Sequence, residues 1–148
     1  MIKRLTPPDL DLFIQLTRMF ETAFDAGTPR NASPEYLGKL LEDPHFMAFA
    51  AIGDGQVWGG ATAYLLPMYH SETAELFVYD LAVREDHRRE GLGTALIMAL
   101  REFCRLQDIH EIFVTAHDAD GHALKFYSST GGVAEKAMLF AWPLDNMD

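Results

Sequence analysis

Cysteine occurs once in the 148 residues, at Cys104, so no disulfide can form within the chain. A reducing compartment, the cytoplasm, is the expected setting. Long apolar runs are missing too, and nothing approaches the roughly 20 residues that a membrane-spanning helix needs. Met1-Ile2-Lys3-Arg4-Leu5 passes straight into Pro7-Pro8 without a signal-peptide pattern, so no membrane association is expected. Basic residues are few: 12 Lys and Arg stand against 22 Asp and Glu, a formal net charge of -10. That balance excludes the clustered cationic surface on which nucleic-acid binding depends. Internal repeats, linkers and low-complexity tracts are absent, and no metal site is expected.

What is present suffices for one compact domain over residues 1–148, since 49% hydrophobic content can fill a sizeable core. The acidic surplus has the sign that attracts a cationic small molecule, and it serves solubility equally well.

The order of elements reads from periodicity and punctuation. Ile2 to Leu5 suits a short strand, and Thr6-Pro7-Pro8-Asp9 is a helix start, with proline and acid in the first turn. Leu10, Phe13, Ile14, Thr17, Phe20 and Phe24 keep helical spacing until Gly27, and Thr28 to Ala32 reads as a polar loop. Ser33-Pro34-Glu35 opens a second helix that Pro44 stops. Phe46 to Ile52 and Val57 to Leu66 read as strands of a hairpin turned at Gly53-Asp54-Gly55. Gly59-Gly60 inside the second strand signals a bulge or a close backbone approach. Ile109 to Ala116 is a further strand, Asp120 caps a helix that runs to Gly131-Gly132, and Ala137 to Trp142 is expected as a last strand.

Chemistry concentrates between these elements, at residues 79–96. Leu76, Val78, Tyr79, Leu81 and Val83 suit a buried strand. The charged run Arg84 to Glu90 ends it, and from Leu92 the apolar spacing turns helical through Ala95, Leu96, Ala99, Leu100 and Phe103. A strand, a basic glycine-containing turn and a helix make an anion site. The first helical N–H groups lack partners within the helix and point outward. Gly91 and Gly93 let a ligand approach the backbone, and Arg88 and Arg89 add fixed positive charge. A phosphate ligand is therefore expected. The dinucleotide fingerprint does not fit, because Leu96 stands where it needs glycine or alanine. Nor does the P-loop, because Thr94-Ala95 follows the last glycine instead of Lys-Ser or Lys-Thr.

Arg88-x-x-Gly91-x-Gly93 after Asp80-Leu81-Ala82-Val83 resembles the acyl-CoA signature of the GNAT (Gcn5-related N-acetyltransferase) superfamily. Within it, five stretches resemble the type I aminoglycoside 3-N-acetyltransferases: Tyr36-Leu37-Gly38, Ala63-Tyr64-Leu65-Leu66-Pro67, Tyr79 to Val83, His87-Arg88-Arg89 and Thr94-Ala95-Leu96-Ile97. The likeness runs from about residue 13 to residue 140. It implies an α/β (mixed α+β) fold whose central, mostly antiparallel sheet has splayed parallel central strands flanked by helices. It also implies acetyl-CoA as co-substrate.

On that resemblance the pantetheine arm would pair with Leu81, Ala82 and Val83, and the pyrophosphate would sit over Arg88, Arg89, Glu90, Gly91, Leu92, Gly93 and Thr94. Ala123, Phe126 and Tyr127 match the second CoA-contact motif, in which a tyrosine points at the sulfur. A phenol can protonate a nascent thiolate, so Tyr127 is the expected acid. Asp80 matches an aspartate that contacts the acceptor's amino groups, and a carboxylate in an otherwise apolar strand is expensive unless it has a task. Glu75 is the second catalytic candidate. Tyr79, the neighbour of Asp80, is expected on the opposite sheet face by strand alternation, unless a bulge changes the parity. His70, His117, Asp118 and Asp120 read as surface residues, and Cys104 as a core thiol rather than an acyl-enzyme nucleophile, which favours direct transfer in a ternary complex.

The chain departs from the aminoglycoside enzymes' acidic pattern at Leu139-Phe140-Ala141-Trp142 and at His117. The expected acceptor is accordingly a cationic small-molecule amine, aminoglycoside-like or polyamine-like, with a homodimer left open. The rival readings are a GNAT acting on a protein N-terminus, a lysine or a metabolite amine, and a non-catalytic acyl-CoA-binding module. The latter would have no need of Asp80 or Tyr127.

Overall fold

The computed structural model describes residues 1–24 and 32–146, and the chain divides into two compact units, Met1–Thr115 and Ala116–Asp148. The expected helix end at Gly27 and the loop over Thr28 to Asn31 lie outside the described residues.

The first unit is a five-stranded sheet in sequential order: β1 (Ile2–Arg4), β2 (Phe46–Gly53), β3 (Gln56–Pro67), β4 (Ala74–Val83) and β5 (Glu111–Val114). The first four strands run antiparallel to their neighbours, and β4 pairs with β5 in parallel. Three helices flank the sheet: α1 (Leu10–Phe24), α2 (Pro34–Glu42) and α3 (Leu92–Leu106). The mixed, mostly antiparallel sheet flanked by helices is thus the expected architecture, with its parallel pair, β4 and β5, at one edge of the five strands rather than at their centre.

Period-two alternation divides β2 between two cores. Phe46, Ala48 and Ala50 pack with Phe13, Leu16 and Phe20 of α1 and with Leu37 and Leu41 of α2. Met47 and Phe49 pack on the other face with Leu96, Leu100 and Cys104 of α3. The β2–β3 turn is a two-residue connection with Asp54 and Gly55 both in the left-handed region, at φ 53° and 73°. That is the primed turn whose twist suits a hairpin. At Gly60 α1 packs tightly on the sheet, since a Cβ there would collide with the Leu16 side chain and the Phe49 carbonyl.

In the second unit α4 (Gly121–Ser129) begins where the Asp120 side chain accepts the Ala123 N–H at 3.1 Å. It ends at Gly131, φ 95°, with the Gly132 N–H donating to Tyr127 O at 2.9 Å. The expected strand over Ala137 to Trp142 is not formed: those residues are irregular and exposed, and Leu144–Asn146 is a single 3₁₀ turn. A strand exists only where a neighbour takes up its backbone groups, and among the described residues of this unit there is a helix and a 3₁₀ turn but no ladder. The expected strand over Ile109 to Ala116 is shortened for a related reason, because β5 finds β4 only between Glu75 and Val78.

The entry to α1 is fastened at Asp9. Its carboxylate accepts from Lys3 Nζ at 2.7 Å, the Thr6 N–H at 2.9 Å and the Thr6 hydroxyl at 3.1 Å. The Lys3 hydrogen bond first, then the Thr6 N–H, holds Asp9 below the ordinary carboxylate range. A folded-state pKa that is lowered stabilises the fold above the unfolded value near 4 and ceases to do so as pH falls through the folded value. Asp9→Asn should therefore cost about 1 kcal/mol at neutral pH, a drop in Tm of roughly 2–4 °C. The deficit should close in acid, so an equal Tm deficit at pH 7 and pH 3 would contradict this account.

Candidate functional site

The site is built around the C-terminal half of β4. Opposite Thr62 and Ala63 of β3, which pair with Asp80 and Val78, β4 carries Tyr79 as an extra residue. This bulge resets the alternation. Leu76 and Val78 lie in the α3-side core, and so do Leu81 and Val83, whereas Ala82 packs on the α1 side. Tyr79 and Asp80 consequently share the α1–α2 face. The simple alternation that puts Tyr79 on the opposite face is thus overturned, for the one reason the sequence reading had allowed.

On β4's other edge the parallel ladder with β5 covers only Glu75–Val78 against Glu111–Val114. Leu81, Ala82 and Val83 lie past its end, so the two strands part there and leave an edge suited to an extended ligand.

The turn that follows is a 3₁₀ turn at Glu85–His87, then Arg88, Arg89 and Glu90, then Gly91 as the N-cap of α3 at φ 81°. Arg88 Nε donates to Val83 O at 3.1 Å, so this side chain binds the turn back onto the strand end. Arg89 takes the left-handed region at φ 65° without being glycine and is exposed. The first α3 N–H with a backbone acceptor is that of Ala95, to Gly91 O at 3.0 Å. The N–H groups of Leu92, Gly93 and Thr94 are therefore the outward-facing donors of this helix start. Positive charge, a glycine cap and these donors are gathered at this turn, the arrangement an anion cradle would need.

The α1–α2 face of β3 and β4 is aromatic and acidic. The Tyr64 ring lies 5.3 Å from Phe46 and 5.9 Å from Tyr79, and Tyr79 lies 5.9 Å from Phe77. Burial, and then the proximity of Tyr36, Tyr79, Asp80 and Asp43, push the Tyr64 phenol above its ordinary pKa. Tyr64 therefore remains a neutral donor among carboxylates. Tyr36 and Tyr79 are 60% and 61% exposed, so the patch is open to solvent and to a ligand.

The structure brings Asp80 into this cluster and keeps Glu75 out of it. Glu75 sits opposite Leu66 and Glu111 at the start of β4, roughly 15 Å along the strand from Asp80. Tyr127, Ala123 and Phe126 lie on α4 in the second unit, with Phe126 and Tyr127 rings 5.2 Å apart. Asp120 is a helix cap, and His117 and Asp118 are exposed loop residues. Among the described residues no group of three or more His, Cys, Asp or Glu is placed to hold a metal ion, and no helix is long and apolar enough to cross a membrane. The sequence reading missed Tyr36, Tyr64 and Tyr79 as site residues. All three lie in the stretches that carried the family resemblance, and the direction of Tyr79 was hidden by the bulge. A surface cavity of about 720 Å³ lies away from this chemistry, at the C-terminal end of α3 beside Arg4, Leu65, Phe103 and Ile109.

Comparison with known proteins places the chain in one family. The acetyltransferase (GNAT) family profile matches residues 13–131. An aminoglycoside acetyltransferase from an uncultured soil metagenomic sample, solved with trehalose, is 38% identical over 97% of this chain and 94% of its own, with a TM-score of 0.91. Its complex with sisomicin gives 37% identity over the same shares and the same TM-score. A second aminoglycoside acetyltransferase from an uncultured soil metagenomic sample is 35% identical over 97% of each chain, with a TM-score of 0.89. No curated protein matches the chain.

Cys104 takes no part in the site. It is buried under α3, and burial pushes its thiol from 9.0 up to about 11. At a given pH below both values that shift alone lowers the thiolate fraction about a hundredfold. Iodoacetamide at pH 8 should accordingly alkylate the folded protein at least about a hundredfold more slowly than the unfolded chain. Comparable rates would show that the thiol is accessible and activated.

Proposed function

This chain belongs to the GNAT acetyltransferase family and is an acetyl-CoA-dependent N-acetyltransferase; from that premise we propose that it acetylates an amino group of an aminoglycoside-like cation by direct transfer in a ternary complex. The observation that carries the acceptor class is the placement of Asp80. The β4 bulge delivers its carboxylate to the face that holds Tyr36, Tyr64, Tyr79 and Asp43, beside the edge where β4 leaves β5. A carboxylate pair binds ammonium groups, and phenols donate to and stack against a hydroxylated ring. The relative solved with sisomicin lends the same class from outside. The family profile runs through residues 13–131, across both units, which supports taking 1–148 as one catalytic domain.

In this reading Leu81, Ala82 and Val83 hold the pantetheine arm along the open edge. Arg89 and the N–H groups of Leu92, Gly93 and Thr94 hold the pyrophosphate, while Arg88 fixes the turn and Glu90 braces it. Asp80 orients the acceptor's ammonium and takes its proton, directly or through water. The freed amine attacks the thioester carbonyl, the C–S bond breaks, Tyr127 gives its proton to the departing sulfur, and the second proton released by the nitrogen returns through solvent to the Tyr127 phenolate. Ala123 and Phe126 carry Tyr127 on α4. The buried, weakly acidic Cys104 supports transfer without an acyl-enzyme.

A screen of cationic amines for acetyl-CoA-dependent CoA release tests the acceptor class. Aminoglycosides should be turned over, and release only with peptides or neutral metabolites would overturn the reading. Asp80→Asn should lower kcat/KM for the acceptor by about 10²-fold or more while acetyl-CoA affinity changes little; an unchanged acceptor kcat/KM removes Asp80 from the chemistry. Tyr127→Phe should lower kcat by about 10²-fold at unchanged acetyl-CoA affinity, and wild-type turnover would show that the thiolate takes its proton elsewhere.

A further inference from the structure

We propose that Trp58 and His87 form a clamp that positions the phosphate turn, and that acetyl-CoA affinity depends on their stacking. The inference rests on reading that turn as the pyrophosphate site. Neither residue belongs to the anion cradle itself, and three features, on β3, on β2 and in the turn, converge on Trp58.

The first is a second bulge. Ala51 pairs with Gly59 and Ile52 with Val57, which leaves Trp58 as the extra residue of β3. The second is Gly53 across the hairpin. A Cβ built there would run into Cη2, Cζ2 and Cζ3 of the Trp58 ring, so the indole lies where only a glycine admits it. The third is the stack itself: the Trp58 and His87 rings are 4.0 Å apart, centroid to centroid, and 14° from parallel.

His87 closes the 3₁₀ turn directly before Arg88, and its Nδ1 lies 3.3 Å from Glu90 Oε2 on the far side of the two arginines. The ring is thus held between the indole of β3 and the last residue before Gly91. The backbone makes the same connection, since the Arg84 N–H donates to Trp58 O at 2.7 Å. Arg84 adds Nη1 to Gln56 Oε1 at 3.3 Å and a fork onto Asp86 at 2.7 and 3.1 Å.

Such anchoring has a purpose in the segment it brackets. Arg89 holds a left-handed backbone at φ 65°, a conformation that costs a non-glycine residue free energy and persists only where its surroundings enforce it. A flexible turn would have to be ordered at each binding event, whereas a clamped one presents its cations and N–H donors already aimed.

The test measures acetyl-CoA affinity by calorimetry and steady-state kinetics in Trp58→Ala, Trp58→Phe, His87→Ala, the Trp58→Ala/His87→Ala double variant and Arg89→Glu. Trp58→Ala and His87→Ala should each raise Kd and KM for acetyl-CoA about three- to tenfold, the worth of one aromatic stack, with kcat at saturation and acceptor KM unchanged. The double variant should be no worse than either single, and Trp58→Phe should recover most of the loss. If Trp58→Ala does not fold, His87→Ala and Trp58→Phe carry the comparison. Unchanged affinity in His87→Ala, or additive losses in the double variant, overturns the clamp. When Arg89→Glu weakens binding strongly in the same series, the pyrophosphate assignment stands and only the clamp falls. Unchanged affinity in Arg89→Glu overturns the assignment and the clamp with it.

Discussion

Between the β3 residues Thr62 and Ala63 there is no position to receive Tyr79 of β4, and the antiparallel ladder continues only because Tyr79 bulges out of it. Much of the site's geometry follows from that surplus residue. Without it, Asp80 would alternate onto the α3 side, among Leu96, Leu100 and Cys104, where an ionised carboxylate has no compensating environment. With it, Asp80 joins Tyr79 on the face of Tyr64, and Leu81 and Val83 take up the α3-side core positions that keep the strand end buried enough to hold its direction. A bulge also increases local twist, and the β4–β5 ladder ends at Val78, the residue before it. One local irregularity thus accompanies both a polar, tyrosine-lined face and an open edge beside it.

The sheet supplies rigidity to this arrangement through close approaches that glycine makes possible. Gly60 admits Leu16 of α1 against the sheet, and a Cβ at Gly59 would press on the Ala82 carbonyl and Val83. β3 can therefore approach β4 tightly along the segment whose other edge is left open. Trp58, one residue earlier on β3, bulges out of the ladder with β2 and reaches the turn after Val83. The two irregularities sit on neighbouring strands, one before the strand end and one beside the turn that follows it.

The order of helices and strands was legible in the sequence because its signals are local. Apolar periodicity, Ser33 and Asp120 as caps, and Asp54-Gly55 as a primed turn each act over a few residues, and each is where it was expected. The anion turn was legible for the same reason, since a strand, glycines, arginines and a helix start are contiguous. What escaped was non-local. Whether Tyr79 and Asp80 face the same way depends on register against β3, which no periodicity within β4 reveals. The gathering of Tyr36, Tyr64 and Asp80 joins three elements, and the Trp58–His87 stack joins a strand to a turn 29 positions on. The Ala137–Trp142 segment failed in the opposite sense. Its composition has the β-preference, but composition cannot supply the partner that turns an extended segment into a strand.

The α1–α2 face offers two kinds of hydrogen-bonding group, and that division bears on which cation it suits. Asp43 and Asp80 are of the type that accepts hydrogen bonds and positive charge, while the same carboxylates, after burial, help keep Tyr64 protonated as a donor. A simple polyamine could use the carboxylates but offers nothing for a phenolic donor except its own ammonium groups, which accept no hydrogen bond. An aminosugar carries ammonium groups for the carboxylates, ring and hydroxyl oxygens for the phenols, and an apolar ring face for Tyr36 and Tyr79. Complementarity on all three counts, rather than net negative charge alone, is what favours an aminoglycoside-like acceptor over a linear polyamine.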